Sequence, residues 1–124
     1  MIDHVSVTVR DLNRASDFYE AVLACLGYTK LERRDATIAF GKKYSEFWIN
    51  HRPAITPLPA DCGSHVALRA SSRDMVDAFY AAALTHGGMS DGEPGLRPAH
   101  GEGYYSAFIR DPDGNRIEAV TFLK

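Results

Sequence analysis

The chain has 124 residues, a formal net charge of −2, and apolar and charged fractions of 45% and 24%. These values fit one ordinary globular domain and give no electrostatic reason to expect nucleic acid or an anionic membrane as partner. The apolar runs are too short to span a bilayer, and the start MIDHVSVTV lacks the basic region and long apolar stretch of a secretory leader. The expected location is cytoplasmic, with Cys25 and Cys62 as free thiols.

Taken in order, Ile2–Val9 alternates as a half-buried strand does, with Val5, Val7 and Val9 on one side and His4, Ser6 and Thr8 on the other. A helix is predicted over Leu12–Leu26, where Leu12, Ala15, Phe18, Tyr19, Val22 and Leu26 form an apolar stripe. Asp11 is its expected cap and Gly27 its left-handed stop. Strands are predicted at Tyr28–Arg33, Ala36–Phe40 and Glu46–Asn50. The Pro-rich stretch His51–Gly63 reads as a linker. A strand at His65–Ala70 and a helix at Arg73–His86 follow, with Ser71 and Asp74 at capping-box spacing and Gly87 and Gly88 as the stop. Ser90–Gly103 reads as a loop, and Tyr104–Arg110 and Asn115–Leu123 as strands. Between those two, Asp111-Pro112-Asp113-Gly114 is a tight turn in which Pro presets one angle and Gly supplies positive φ.

The two halves repeat. DHVSVTVRDLNRASDFYEAVLACLGY aligns with SHVALRASSRDMVDAFYAAALTHGGM without a gap, matching His4 to His65, Val5 to Val66, Phe18 to Phe79, Tyr19 to Tyr80 and Gly27 to Gly88. The predicted architecture is therefore α+β, a tandem of βαβββ modules. The boundaries fall at about Met1–Arg52 and Gly63–Lys124, with Pro53–Cys62 between.

Side chains alternate along a strand, so parity predicts which ones share a face. Val5, Val66, Leu68, Ile117 and Ala119 cover the helices, which leaves His4, His65 and Glu118 pointing the other way. Glu46, Trp48 and Asn50 share that face. Two imidazoles and a carboxylate suit Zn, Mn, Ni, Co or Fe(II), and three protein ligands leave positions open for water and substrate.

The start HVSVTVRDLNRASDFYEAVLACLGY and the end DPDGNRIEAV resemble the vicinal oxygen chelate superfamily, which embraces glyoxalases, bleomycin-resistance proteins and extradiol dioxygenases. PGLRPAHGEGYYSAFIRDPDGNRIEAV is similar to a small glyoxalase-like bacterial subfamily. The resemblance implies one domain in which two modules form a cupped eight-stranded mixed sheet around a divalent metal, with helices outside. It implies His4, His65 and Glu118 as ligands and Glu118 as catalytic group. The fourth family position falls on Trp48, with Glu46 two residues early. That moves the reading from glyoxalase I towards three-ligand relatives such as fosfomycin-resistance thiol transferases and extradiol dioxygenases.

The Gly92–Tyr105 segment is the expected lid or specificity loop. Arg97 can clamp a carboxylate or phosphate, and His100 can exchange protons near neutral pH. Tyr104 completes the loop's candidates, and Trp48 can stack on a planar ligand. The expected function is a metal-dependent lyase, isomerase, thiol transferase or dioxygenase acting on a small substrate with vicinal oxygens. The alternative is a metal-free small-molecule binder of the bleomycin-resistance type. The expected assembly is a homodimer whose modules pair within or between chains.

Overall fold

The alternating valines form β1 (Val5–Val9), and Asp11 then starts α1 (Leu12–Ala24) by accepting the Arg14 backbone N–H at 3.0 Å. The helix ends at Ala24, two residues short of the expected Leu26, and Gly27 at φ +86° lets the Tyr28 N–H return to the Leu23 carbonyl at 3.0 Å. β2 (Thr29–Arg33), β3 (Thr37–Gly41) and β4 (Phe47–His51) complete the first half. The second half is β5 (Val66–Arg69), α2 (Arg73–Thr85), β6 (Met89–Leu96), β7 (Tyr104–Arg110) and β8 (Arg116–Phe122). The structure, a computed structural model, describes Met1–Lys124.

Two details differ from the sequence reading. Ser72, not Ser71, caps α2, because its hydroxyl is the one in reach of the Met75 N–H at 3.3 Å. The first half of the expected Ser90–Gly103 loop, Ser90–Leu96, belongs to strand β6, and a short 3-10 turn follows at Pro98–His100. Gly and Pro survive there because β6 is an edge strand, and its pairing with β7 slips twice, at Ser90/Gly92 and Gly92/Gly95.

Each half has βαβββ connectivity, and the sheets run in equivalent orders, β1-β4-β3-β2 and β5-β8-β7-β6. β1 lies parallel to β4 and β5 to β8, while all other neighbours are antiparallel. The eight strands thus form two four-stranded sheets. β1 and β5 are edge strands, and residues of both line the same two clefts. One core runs through both halves, joining Phe18, Tyr19, Phe40 and Phe47 to Val76, Phe79, Ile109 and Ile117.

The Asp-Pro-Asp-Gly-Asn turn fastens the halves. Asp111 accepts the Tyr19 hydroxyl of α1 at 2.6 Å, Asn115 donates its side-chain N–H to the Thr8 carbonyl at 2.9 Å, and Arg10 Nε donates to Asp113 at 2.9 Å. Within the second half, Asp91 of β6 takes Arg110 of β7 at 3.2 Å and Arg116 of β8 at 2.9 Å. Burial pushes the Asp91 carboxyl up, but the hydrogen bonds and charges of Arg116 and Arg110 together outweigh it and leave it below the usual 3.8. A depressed folded value means stability that is present above 3.8 and lost as pH falls through the lower folded value. Acid titration of the melting temperature should therefore fall more steeply below pH 3.8 for the parent than for Asp91→Asn. Parallel curves would exclude the effect.

Candidate functional site

The face of the second sheet away from α2 carries His65, the residue just before β5, with Tyr104, Ser106 and Phe108 of β7 and Glu118 of β8, as parity requires. Phe108 stands opposite Glu118 in the β7–β8 register, and the His65 ring centroid lies 6.1 Å from that of Phe108. Glu118 is only 2% exposed although it lies on the face without a helix. Its Oε1 is 3.1 Å from His65 Nε2, and its Oε2 accepts the Tyr104 hydroxyl at 2.5 Å. Burial, then the hydrogen bond and charge of Glu118, push the Tyr104 phenol up to about 12 against the pull of Arg97. Tyr104 therefore keeps its proton at neutral pH and donates it to Glu118. Tyr104→Phe removes a donor to a charged acceptor and should lower the unfolding free energy by about 1.5–3 kcal/mol. Urea denaturation checks this, and an unchanged midpoint and slope would refute it.

His4 precedes β1 on the first sheet. Its Nδ1 lies 2.7 Å from Asp3 Oδ1, which leaves Nε2 without a protein partner. Its ring meets Trp48 edge-on at 6.4 Å between centroids, and the Arg34 guanidinium sits 5.1 Å from the Trp48 ring centre. Glu46 precedes β4, and its carboxylate accepts the Lys42 backbone N–H at 3.1 Å, tying down the β3–β4 turn. His4, Glu46 and His65 nonetheless border one cleft of about 320 Å³. Arg97 and His100 flank the second-sheet group, with the His100 ring 5.3 Å from the Tyr104 ring.

The structure thus brings His65, Glu118 and Tyr104 into direct contact and sets His4 with Trp48 on the other sheet. As the side chains stand, no three His, Cys, Asp or Glu residues converge closely enough to hold an ion. The pair already formed does fit one. Ligand atoms about 2.0–2.2 Å from a shared metal lie roughly 3 Å apart, and His65 Nε2 and Glu118 Oε1 are 3.1 Å apart. The contact of His4 with Asp3 is the kind that orients a metal-binding imidazole through its other nitrogen. Sequence reasoning gives no role to Asp3 or Phe108. Adjacency to His4 is the signal for the first, and parity with Tyr104 the signal for the second.

This architecture, two βαβββ halves with imidazole and carboxylate donors on the helix-free faces, is that of glyoxalase-type proteins. Residues 1–119 match the model of the Glyoxalase/Bleomycin resistance protein/Dioxygenase superfamily, and the chain belongs to that superfamily. A glyoxalase/bleomycin resistance protein of Albidiferax ferrireducens T118 superposes with a TM-score of 0.83 at 35% identity, over 95% of this chain and 96% of that one. A virulence protein of Salmonella typhimurium is 31% identical over 98% of this chain and 84% of its own length. A lactoylglutathione lyase of Arabidopsis thaliana is 30% identical over 94% of this chain, which spans only 42% of that enzyme. No helix is long and apolar enough to cross a membrane.

Proposed function

We propose that the chain is a metal-dependent enzyme of glyoxalase type, in which His65, Glu118 and His4 hold a divalent ion (Zn, Ni, Mn, Co or Fe) and a small substrate chelates it through vicinal oxygens. The observation that carries this reading is Glu118, a buried carboxylate on the helix-free face, spent on no Arg or Lys and held against an imidazole. A bound ion supplies Lewis acidity to the substrate oxygens. The chain's own residues do the rest. Tyr104 holds Glu118 in place through a proton it keeps, Asp3 aims His4, and Trp48 offers a ring face on the opposite sheet.

We further propose a cytoplasmic homodimer. Elemental analysis after exposure to each metal and exhaustive dialysis tests the reading, with about one ion per site expected at the metal-to-ligand strength of such donor sets. Loss of all metal from the parent protein would overturn it. Mixing His4→Ala with Glu118→Ala protein assigns the source of His4. Regained metal means that sites are shared between chains, and no gain means that each chain builds its own.

A second reading has one observation in its favour. Both oxygens of Glu118 are already engaged by protein groups, and Tyr104, Phe108 and Phe122 give the face an aromatic lining. In that case the chain binds a small aromatic molecule without metal, as bleomycin-resistance proteins do. The same metal measurement separates the two.

A further inference from the structure

Arg97 is held in a built seat. Its backbone is pinned on both sides, its N–H donating to the Tyr104 carbonyl at 2.8 Å and its carbonyl accepting the His100 N–H at 2.9 Å. The side chain folds back along β6, which ends just before it, Nη2 donating to the Glu93 carbonyl at 2.5 Å and Nη1 approaching the Leu96 carbonyl at 3.5 Å. The guanidinium carbon lies 5.6 Å from the centre of the Phe108 ring, the ring that stands opposite Glu118. Two glycines of β6 make the room. A Cβ at Gly95 would stand 3.1 Å from Arg97 Nη1, and one at Gly92 would stand 3.4 Å from Nη2 and 3.0 Å from the Phe108 ring. The bulges at these same glycines bend the strand edge on which the guanidinium rests.

The ion pairs nearby leave Arg97 out. Asp91 is taken by Arg110 and Arg116, and Glu118 by His65 and Tyr104. A guanidinium has about five N–H donors in a rigid fork, and backbone carbonyls engage only part of this one. It is therefore an oriented, half-buried cation without a counter-charge, set over the ring of Phe108, the residue opposite Glu118. A neutral acceptor gains only an ordinary hydrogen bond from such a group and a cation is repelled, whereas an oxyanion gains a paired, charge-assisted contact.

We infer that Arg97 is a specificity-determining residue and that the substrate is a small anion, whose carboxylate, phosphonate or phosphate group docks on Arg97 while its reacting end lies at His65 and Glu118. The inference rests on the reading of that pair as the reacting end. The docking of the anion is measured separately from it.

The test uses the full chain, ¹⁵N-labelled, with methylphosphonate as the probe and neutral dimethyl methylphosphonate as the control. Methylphosphonate should bind saturably in the millimolar range and move the Arg97 Nε–H signal and the Gly92 and Gly95 amides, while the neutral ester should move none of them. Arg97→Gln should weaken binding by about 10- to 100-fold, the value of a charge-assisted contact. Gly95→Ala, which crowds Nη1, should weaken it in the same direction with an otherwise parental amide spectrum. Binding within twofold of the parent in Arg97→Gln, shifts confined to other residues, or no saturable binding would each overturn the inference. Glu118→Ala separates it from the metal reading. That variant should lose metal yet still bind methylphosphonate, and parent protein that binds methylphosphonate but no metal would leave Arg97 as an anion site while the metal reading falls.

Discussion

Glu118→Ala is expected to lower divalent-metal affinity by more than about 100-fold, beyond the 10- to 100-fold typical of changing a residue that only supports a ligand. At 2% exposure the carboxylate is shielded from water, and its neighbours are one imidazole and one phenol. A cation arriving at Oε1 therefore meets a charge that bulk water does not screen. Removing the carboxylate leaves His65 and the free Nε2 of His4 as neutral donors, which hold a divalent ion weakly. Glu118→Gln keeps the shape and an oxygen for Tyr104 but not the charge, so it should lose most of the same affinity while unfolding near the parent's midpoint. Competition against a chelating indicator measures both variants. Parental affinity in Glu118→Gln would show that the charge on Glu118 is not what holds the ion.

Much of this site is legible in the sequence, because a strand's period of two assigns faces without any knowledge of packing. That is how His65 and Glu118, on different strands, are predicted to share a face, and the structure places them in contact. The repeat similarly predicts equivalent sheet orders. Parity cannot rank partners within a face, however. Tyr104 pairs with Phe122 in register, yet its hydroxyl reaches Glu118, two same-face positions along β8. Only the length of the tyrosine and the trajectory of its ring decide that. The Gly92–Leu96 segment misleads for a related reason. Its Gly and Pro content signals a loop, but an edge strand needs only one partner, and bulges absorb the residues that a regular ladder would reject. Tyr19 shows the limit of an apolar stripe. Its position predicts burial, which is complete, but nothing local predicts that the hydroxyl finds Asp111 in the other half of the chain.

That contact is the basis of the second large effect. Asp111→Ala should destabilise the protein by about 4 kcal/mol or more, a large part of the roughly 5–15 kcal/mol that holds a domain of this kind together. Asp111 Oδ1 accepts the Asp113 N–H at 2.9 Å and the Asn115 N–H at 2.8 Å, and Oδ2 accepts the Tyr19 hydroxyl at 2.6 Å and the Asn115 side-chain N–H at 2.8 Å. Truncation strands these donors in a site that water barely reaches, at about 1–3 kcal/mol for each one left unpaired. The loss also loosens Asn115 from Thr8 and Tyr19 from its seat, and so separates the two halves that present the site. Burial, reinforced by the charge of Asp113, pushes the Asp111 carboxyl above 3.8 despite the donors from Tyr19 and Asn115. With a raised folded value, the fold favours the protonated form, and this contribution is full below 3.8 and lost as pH rises through the folded value. At neutral pH the turn thus keeps a charge that burial opposes, because four donors need its two oxygens. Asp111→Asn, which removes the charge and keeps one oxygen for the two backbone N–H groups, should lose less than Asp111→Ala. Urea denaturation followed by circular dichroism ranks the variants. An alanine variant within about 1 kcal/mol of the parent, below the usual cost of a single unpaired buried donor, would show that the turn does not clasp the halves.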